Sequence, residues 1–322
     1  MQKKIFGIRS AAEFERVALE VFQYQARWVD VYANFIQMLG INPLHVDSVD
    51  KIPFLPISFF KTHKVIAKDQ APAIAFTSSG TTGSETSSHL VSNVDIYTQS
   101  FRRAFALFYG DIRDYCFLAL LPAYLERTGS SLVFMANDLI GQSAHPQSGF
   151  YLNNLNDLVS VLTEQNGKGQ KTILLGVTFA LLSLAQEFKL DLSNTIVMET
   201  GGMKGRRKEL IRQELHQILC SGLGVKAIHS EYGMTELLSQ AYSSGEGIFS
   251  CPPWMKILLR DPYDPLTRYA QGSGAINVID LANVNSCSFI QTDDLGRLYP
   301  DGTFEVLGRM DNSQIRGCNL LV

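Results

Sequence analysis

The sequence predicts an α/β fold with a largely parallel sheet, because short apolar runs alternate with longer windows of helical periodicity between residues 71 and 230. We expect buried strands and intervening helices in this region: strands at 115–121, 171–176, 195–199 and 225–230, and helices at 95–109, 155–165 and 208–219. After about residue 245 the apolar runs shorten and are separated by Gly, Pro and Asp turns. That change indicates a small β-rich subdomain attached to the α/β body.

The beginning of the chain predicts a helix over residues 10–40. Phe14, Val17 and Val21 recur at spacings of three and four, as one buried helical face requires. Ser10 and Glu13 have the spacing of a capping box, and Gly40 marks the expected end. The segment 52–60 that follows contains two prolines, so we expect it to be extended and apolar.

Composition and charge exclude several classes of protein. The chain of 322 residues is 46% hydrophobic and 18% charged, which is typical of a globular protein. Its net charge of −3 disfavours binding of nucleic acid by bulk positive charge. The longest apolar stretches, 117–125 and 173–185, are shorter than the roughly 20 residues of a membrane helix. With no secretory signal visible, we expect a cytoplasmic protein without a membrane span.

Cysteine and histidine spacing predicts neither a zinc site nor a disulfide framework. The five cysteines form no C-x-x-C pair, and the six histidines form no H-E-x-x-H motif. Cys116 and Cys220 lie in apolar contexts and are expected to be core residues.

A run of small and hydroxyl-bearing residues follows the short apolar run 73–76. Its members are Thr77, Ser78, Ser79, Gly80, Thr81, Thr82 and Gly83. Glycines let backbone N–H groups approach an anion and hydroxyls add donors, so the run predicts a phosphate-binding loop. It is not a Walker loop, because no Gly-Lys-Ser/Thr follows. A flexible Ser/Gly linker is the alternative interpretation.

Two further clusters contain the residue types of a nucleotide site. The first follows the predicted strand 225–230 and consists of Glu231, Tyr232, Gly233, Met234, Thr235 and Glu236. An aromatic ring can stack on a base, a hydroxyl can contact a phosphate, and a carboxylate can hold Mg²⁺. The second cluster spans 292–297 and 308–311, where Asp and Arg can bind ribose hydroxyls and phosphate. Packed or exposed side chains and polar hairpin turns are the alternatives.

In this order and spacing, the three clusters resemble the adenylate-forming superfamily, and within it the acyl-protein synthetase (LuxE) type of fatty-acid ligase. The resemblance covers about residues 50–322 and includes four further segments: 52–61, 199–205, 251–256 and 315–320. It implies the superfamily's large N-terminal domain over 1–311, with parallel sheets flanked by helices. That domain would comprise a helical part at 1–50 and a β-rich subdomain at 245–311. The superfamily's mobile C-terminal domain is expected to be absent, and residues 312–322 form a short tail.

The resemblance also implies ATP and Mg²⁺ and a role for each matched residue. Residues 77–83 would surround the β- and γ-phosphates, and Gly201 and Gly202 would form the turn against adenine. The adenine pocket would be lined by Glu231, Tyr232, Gly233 and Met234. Thr235 would contact the α-phosphate, and Glu236 would hold the metal and act with Thr235 in catalysis. Asp294 and Arg309 would bind the ribose.

The chain departs from the superfamily pattern in the phosphate loop. The superfamily continues this loop with Pro-Lys-Gly, whereas this chain has Ser84, Glu85 and Thr86. Another cation is therefore expected to offset the charge of pyrophosphate, and the candidates are Lys204, Arg206 and Arg207. A solvated helix start is the alternative role for these three residues.

Cys318, in the tail, matches the cysteine that accepts the acyl group in acyl-protein synthetases. A thiolate is a strong nucleophile and an acyl adenylate carries an excellent leaving group. The resemblance therefore implies activation of a carboxylic acid, a fatty acid in this type of ligase, to acyl-AMP and transfer to Cys318. An acyl-accepting reductase, transferase or acyl carrier protein is the expected partner. Two alternatives stay open: a CoA or carrier-protein ligase with an external thiol, and a non-catalytic acyl- or nucleotide-binding regulatory protein.

Overall fold

The computed structural model describes residues 1–78, 86–121, 129–152, 154–201 and 211–310. The α-helices of this part of the chain are α1 (Gln2–Ile5), α2 (Ala11–Trp28), α3 (Asp30–Met38), α4 (Phe59–Thr62), α5 (Val94–Tyr109), α6 (Ser131–Ser143), α7 (Leu155–Gly167), α8 (Thr178–Glu187) and α9 (Arg212–Leu223). Its strands are β1 (Leu55–Pro56), β2 (Ile74–Thr77), β3 (Ser88–Val91), β4 (Cys116–Leu120), β5 (Gly149–Phe150), β6 (Thr172–Val177), β7 (Thr195–Thr200), β8 (Ile228–Tyr232), β9 (Ala241–Ser243), β10 (Ile248–Phe249), β11 (Met255–Arg260), β12 (Arg268–Tyr269), β13 (Gly272–Asp280), β14 (Phe289–Leu298) and β15 (Phe304–Arg309).

The chain divides into two compact units. The first unit consists of Met1–Ser100, Thr235–Ser239 and the chain from Ser250 onward, and the second of Phe101–Met234 and Gln240–Phe249. The helical part predicted at 1–50 therefore falls in the same unit as most of the β-rich subdomain predicted at 245–311, whose first residues, up to Phe249, belong to the second unit. The assignment of 1–311 to one adenylation domain stays a prediction.

The predicted helix over residues 10–40 is interrupted in the structure. The Ser10 hydroxyl accepts a hydrogen bond from the Glu13 amide at 3.2 Å, so the predicted cap starts α2. The helix ends at Trp28, because Val29 is extended, with φ −102° and ψ 95°, and α3 starts at the next residue. Val29 is fully buried, and the change of direction lets α3 bury its own apolar side chains, Tyr32 and Ile36.

The first unit is built on an antiparallel sheet with the strand order β15-β14-β13-β11-β12, and β1 pairs in parallel with β14. One of the short apolar runs after residue 245 forms a longer strand than expected, since β14 continues through the polar residues 292–297 to Leu298. Side chains alternate between buried and exposed along it, so Thr292 and Asp294 point inward while Asp293 and Arg297 face solvent. The hairpin turn considered as an alternative for 292–297 is thus wrong.

The second unit contains a six-stranded sheet with the order β5-β4-β6-β7-β8-β9. All of its pairs are parallel except the pairing of β8 with β9. Every residue of β4 and β6 is buried, as expected of parallel strands covered on both faces. The predicted α/β class with a parallel sheet and a β-rich part is confirmed.

The carboxyl ends of β7 and β8 lie next to each other in this sheet. Thr200, the last residue of β7, pairs with Glu231 near the end of β8. Both predicted segments of the adenine pocket therefore begin at one edge of the sheet, where ligands bind in open α/β sheets.

Among the residues that the structure describes, no helix combines the length and apolar character needed to cross a bilayer.

Candidate active site

The hairpin of β2 and β3 forms the stem of the predicted phosphate loop. Thr77 pairs with Ser88, and beyond this pair the Ser78 amide donates to the Ser87 carbonyl at 3.0 Å. The Ser87 amide returns a hydrogen bond to the Ser78 hydroxyl at 2.9 Å. Among the described residues, Ser78 and Ser87 therefore form the last hydrogen-bonded pair of the hairpin before the loop. The loop residues Ser79, Gly80, Thr81, Thr82 and Gly83 lie outside the described residues.

The segment Thr235–Ser239 is held by side chains from other parts of the first unit. His89 of β3 shares a hydrogen bond of 2.9 Å with the Thr235 carbonyl, and the Asn283 amide donates to the Glu236 carbonyl at 2.7 Å. Asp280 accepts from the amides of Leu238 and Ser239 at 2.7 and 2.9 Å. A segment without regular secondary structure is thereby fixed on both sides of Glu236.

Glu236 is a buried carboxyl group in a polar environment. Burial raises its pKa, whereas a hydrogen bond from Ser87 and the positive charges of Arg309 and Lys61 favour the ionised form. The sequence interpretation did not assign Ser87 or Lys61 to the site. The local sequence pattern predicts a site role for neither residue. Lys61 lies in α4 and Ser87 directly precedes β3, and both come close to Glu236 only in the folded first unit.

Asp294 and Arg309, both predicted to bind ribose, are brought together across two antiparallel strands. They are register partners on β14 and β15, and the Arg309 Nε donates to the Asp294 carboxylate at 3.1 Å. Asp294 is buried and Arg309 is exposed, so the carboxylate is fixed while the guanidinium faces solvent. The fully buried Arg260 stiffens β14 by donating to the Thr292 carbonyl at 2.8 Å.

In the second unit, Glu231 is a buried carboxyl group that accepts a hydrogen bond from the Thr200 hydroxyl. Burial raises its pKa to about 7, although the Thr200 hydrogen bond opposes this change. A Cβ at Gly233 would collide with one carboxylate oxygen of Glu231. Any larger residue at this position would therefore displace the Glu231 carboxylate.

Gly201 forms a turn directly after β7, with a positive φ of 72° that favours glycine. The Thr178 hydroxyl donates to its carbonyl at 2.6 Å. Gly202, the second glycine of the predicted adenine turn, lies outside the described residues, as do Lys204, Arg206 and Arg207.

A buried polar network beneath Gly201 was not predicted from the sequence. Its centre is Glu199, whose carboxylate lies 3.0 Å from the His216 Nε2 and accepts a hydrogen bond from the Ser230 hydroxyl at 3.0 Å. Arg212 lies 3.9 Å from the same oxygen. These residues come from β7, β8 and α9, so no local motif joins them. The network fixes the strand ends from which the Gly201 turn and Glu231 project.

Tyr232 and Met234 differ in burial. Tyr232 is buried and its ring meets Phe249 edge-on, with ring centroids 6.0 Å apart. Arg212 lies 5.3 Å from the centre of the other aromatic ring of this pair, that of Phe249. Met234 and Thr235 are half-buried, and Gly233 is exposed. The packed aromatic that was considered as an alternative for Tyr232 thus agrees with its burial.

Cys318 and the rest of 311–322 lie outside the described residues. Of the other cysteines, Cys116 is buried, as predicted, but Cys220 is only half-buried. In the described part of the chain, no group of three or more His, Cys, Asp or Glu side chains is arranged to hold a metal ion.

Comparison with known proteins finds one named sequence relative and many similar folds. No protein-family profile matches the chain. The long-chain-fatty-acid–luciferin-component ligase of Vibrio harveyi is 23% identical over 329 residues, which cover 95% of this chain and 86% of that protein. A structure of 2-hydroxyisobutyryl-CoA ligase with 2-HIB-AMP, in the postadenylation state, matches with a TM-score of 0.71 and 14% identity. That match covers 95% of this chain and 70% of the ligase.

ATP-bound MatB from Rhodopseudomonas palustris matches with a TM-score of 0.55 and 16% identity, over 76% of this chain. The chain spans about half the length of the MatB proteins that it matches. At these identities the solved structures establish the fold. The chain therefore has the fold of the adenylate-forming ligases, and the resemblance to that superfamily and to its fatty-acid ligase type, predicted from the motifs, is confirmed.

Proposed function

We propose that the chain is an AMP-forming carboxylic acid–thiol ligase that activates a fatty acid with ATP and transfers the acyl group to Cys318. The observation that carries this proposal is the position of Glu236, a buried carboxyl beside Ser87 and under the positive charges of Lys61 and Arg309. It lies on a segment held by His89 and Asn283 against the stem of the predicted phosphate loop. Such preorganised groups can stabilise the charge that develops on the phosphates of ATP during adenylyl transfer.

Mg²⁺ fits the groups around Glu236. A single buried carboxylate with a neighbouring hydroxyl suits this ion, which is commonly held by one or two carboxylates together with phosphate oxygens and water. Glu236 would hold it, and Ser87 would orient the carboxylate. When bound, the ion supplies positive charge against the phosphates.

In the first step, a carboxylate oxygen of the acid attacks the α-phosphorus of ATP. The bond from this phosphorus to the pyrophosphate oxygen breaks, giving acyl-AMP and pyrophosphate. Thr235 contacts the α-phosphate in this proposal, and Asp294 with Arg309 binds the ribose. The adenine pocket is formed by the segment around Glu231 and the Gly201 turn.

In the second step, the Cys318 thiolate attacks the acyl carbonyl carbon and the bond to the AMP oxygen breaks. The products are a protein thioester and AMP, and the thiol proton goes to solvent. An acyl-accepting reductase, transferase or carrier protein then takes the acyl group. The similarity to the Vibrio harveyi fatty-acid ligase over 95% of the chain supports a fatty acid as the substrate.

Acid-dependent exchange of labelled pyrophosphate into ATP, measured over a panel from acetate to palmitate, tests the first step. We expect exchange with long-chain acids and a loss of at least about tenfold in Glu236→Gln, because the amide removes the negative charge. Exposed Glu187→Gln serves as the matched control and is expected to keep full exchange. No exchange with any acid would contradict the adenylation step.

Intact-mass spectrometry after incubation with ATP and the active acid tests the second step. We expect an acyl adduct that hydroxylamine removes, and its loss in Cys318→Ser with exchange retained. Cys220→Ser, at a half-buried cysteine, is the control and should keep the adduct. An adduct that persists in Cys318→Ser would exclude this cysteine as the acceptor.

The second candidate is a ligase that uses CoA or a carrier thiol. The fold match to 2-hydroxyisobutyryl-CoA ligase over 95% of the chain favours it. Acyl-CoA formation that is unchanged in Cys318→Ser would decide for this candidate.

A further inference from the structure

Two neighbouring side chains connect the stem of the predicted phosphate loop to the segment that carries Thr235 and Glu236. Both come from the chain that leaves the loop: Ser87 hydrogen-bonds Glu236, and His89 lies 2.9 Å from the Thr235 carbonyl. Ser87 is also the residue that closes the stem by pairing with Ser78. The separation between the loop stem and Glu236 therefore depends on these two contacts.

The His89 contact defines the tautomer of the ring. A carbonyl oxygen only accepts, so Nδ1 carries the proton and Nε2 is an unprotonated acceptor. Burial lowers the pKa of His89 to about 4, and the ring is therefore neutral at physiological pH. The hydrogen bond to Thr235 has the same form across the neutral pH range.

The ring of His89 is also fixed by packing. The side chain is fully buried, and Phe60 of α4 meets it edge-on, with ring centroids 5.5 Å apart. A ring that is clamped in this way cannot rotate away from Thr235 without displacing Phe60.

Packing alone does not account for a histidine at this position. Its Nε2 is buried without a hydrogen-bond partner among the described residues, and such an unpaired nitrogen costs free energy relative to an apolar ring. A histidine that costs stability in this way is expected to have a functional role, and that role falls to its other ring nitrogen, Nδ1. That nitrogen contacts the backbone next to Glu236.

We propose that His89 is a positioning residue for adenylyl transfer, which fixes the Thr235 backbone, and with it Glu236, against the stem of the phosphate loop. The inference rests on the proposed ATP-dependent adenylation. It assigns His89 no contact with ATP or the acid. If Glu236 moves relative to the stem of the phosphate loop, we expect the rate of adenylyl transfer to fall more than the affinity for ATP.

Two amide substitutions separate positioning from packing. In His89→Asn the amide nitrogen takes the place of Nδ1 and can still donate to Thr235, whereas in His89→Gln it takes the place of Nε2. For His89→Asn we expect a kcat of pyrophosphate exchange within about threefold of the wild-type value. For His89→Gln we expect a kcat that is at least about tenfold lower than the wild-type value. The KM for ATP should change less than kcat in both variants.

Thermal unfolding of both variants is measured alongside, because a packing role predicts parallel losses of stability and equal kcat values. Equal kcat for Asn and Gln, whether high or low, would overturn the inference. Pyrophosphate exchange by the wild-type protein tests the adenylation itself. Failure of the proposed adenylation is therefore distinguishable from failure of the His89 inference. Thr172→Val is the control: it removes a buried hydroxyl that donates to a carbonyl at 3.1 Å in the second unit.

Ser87→Ala provides a second test that does not depend on the folding of the His89 variants. It removes the other connection, and we expect a lower kcat at saturating ATP together with a higher Mg²⁺ requirement. Unchanged values of both quantities in Ser87→Ala would contradict the proposed coupling of stem and Glu236.

Discussion

At the scale of single residues, burial sets the protonation of the groups around the candidate site. Burial raises the pKa of Glu231 to about 7 and that of Asp280 to about 6, and it lowers that of His89 to about 4. Because these pKa values differ from those of the groups in an unfolded chain, the free energy of unfolding depends on pH. The sequence predicts Glu231 as a site residue, but its altered pKa depends on neighbours that only the fold provides.

Glu231 is expected to make the protein less stable as pH rises. An acid with a higher pKa in the folded than in the unfolded state binds more protons when folded, so its contribution falls between about pH 4.5 and 7. The full change amounts to about 3 kcal/mol. Glu231→Gln cannot ionise, and its free energy of unfolding relative to the unchanged protein should increase from pH 4.5 to pH 8. Urea unfolding at the two pH values measures this.

The control for this prediction is Glu187→Gln, the same substitution at an exposed carboxylate, measured at the same two pH values. Other groups titrate in both proteins and cancel in the comparison. If Glu231→Gln had the same pH dependence as the unchanged protein, the buried carboxyl would not be the source of the effect.

At the scale of elements, the sequence predicted most strands and helices but not the changes of direction within them. The apolar spacing in residues 10–40 shows no break at Val29. The extended conformation of this residue is explained by the packing of α3, which the local sequence does not reveal. The polar composition of 292–297 suggested a turn, although the residues alternate in burial along β14. In both places tertiary packing decided between local conformations that the sequence allows.

The packing of α8 against α9 makes a further prediction at this scale. A Cβ at Gly222 of α9 would collide with the carbonyl and side chain of Ala185 in α8. We expect Gly222→Ala to lower the free energy of unfolding by about 1–3 kcal/mol, since two helix backbones must separate. Chemical denaturation of the purified variant provides the measurement.

Gly141→Ala is the matched control, near the end of α6. A Cβ there meets nothing within 4 Å, so the higher helix propensity of alanine should raise stability by about 0.5–1 kcal/mol. Opposite signs for the two substitutions are the expected result. A stabilising Gly222→Ala would show that the helices have room to accept a methyl group.

At the scale of the whole molecule, a ligand that binds only the folded state raises its stability. If the chain binds ATP as proposed, MgATP at about a hundred times its Kd should add about 2.7 kcal/mol, a rise in Tm of about 5 °C. MgGTP at the same concentration should have a smaller effect, because the proposed base pocket is specific for adenine. Scanning calorimetry of the full chain with each nucleotide measures both shifts.

Glu236→Gln should reduce the MgATP shift while leaving the Tm of the nucleotide-free protein close to that of the unchanged protein. Equal shifts with ATP and GTP would argue against an adenine pocket. The absence of any shift with MgATP would contradict the proposed nucleotide site as a whole.

The sequence by itself determined the α/β class, the order of the motifs and the resemblance to adenylate-forming ligases, because these depend on periodicity and on residues close together in the chain. It also predicted a shared site for Asp294 and Arg309, whose side chains lie 3.1 Å apart in the structure. Only the tertiary structure brought Ser87, Lys61 and His89 to Thr235 and Glu236. These contacts join positions about 150 or more residues apart, and no local pattern records a contact that depends on the packing of distant strands.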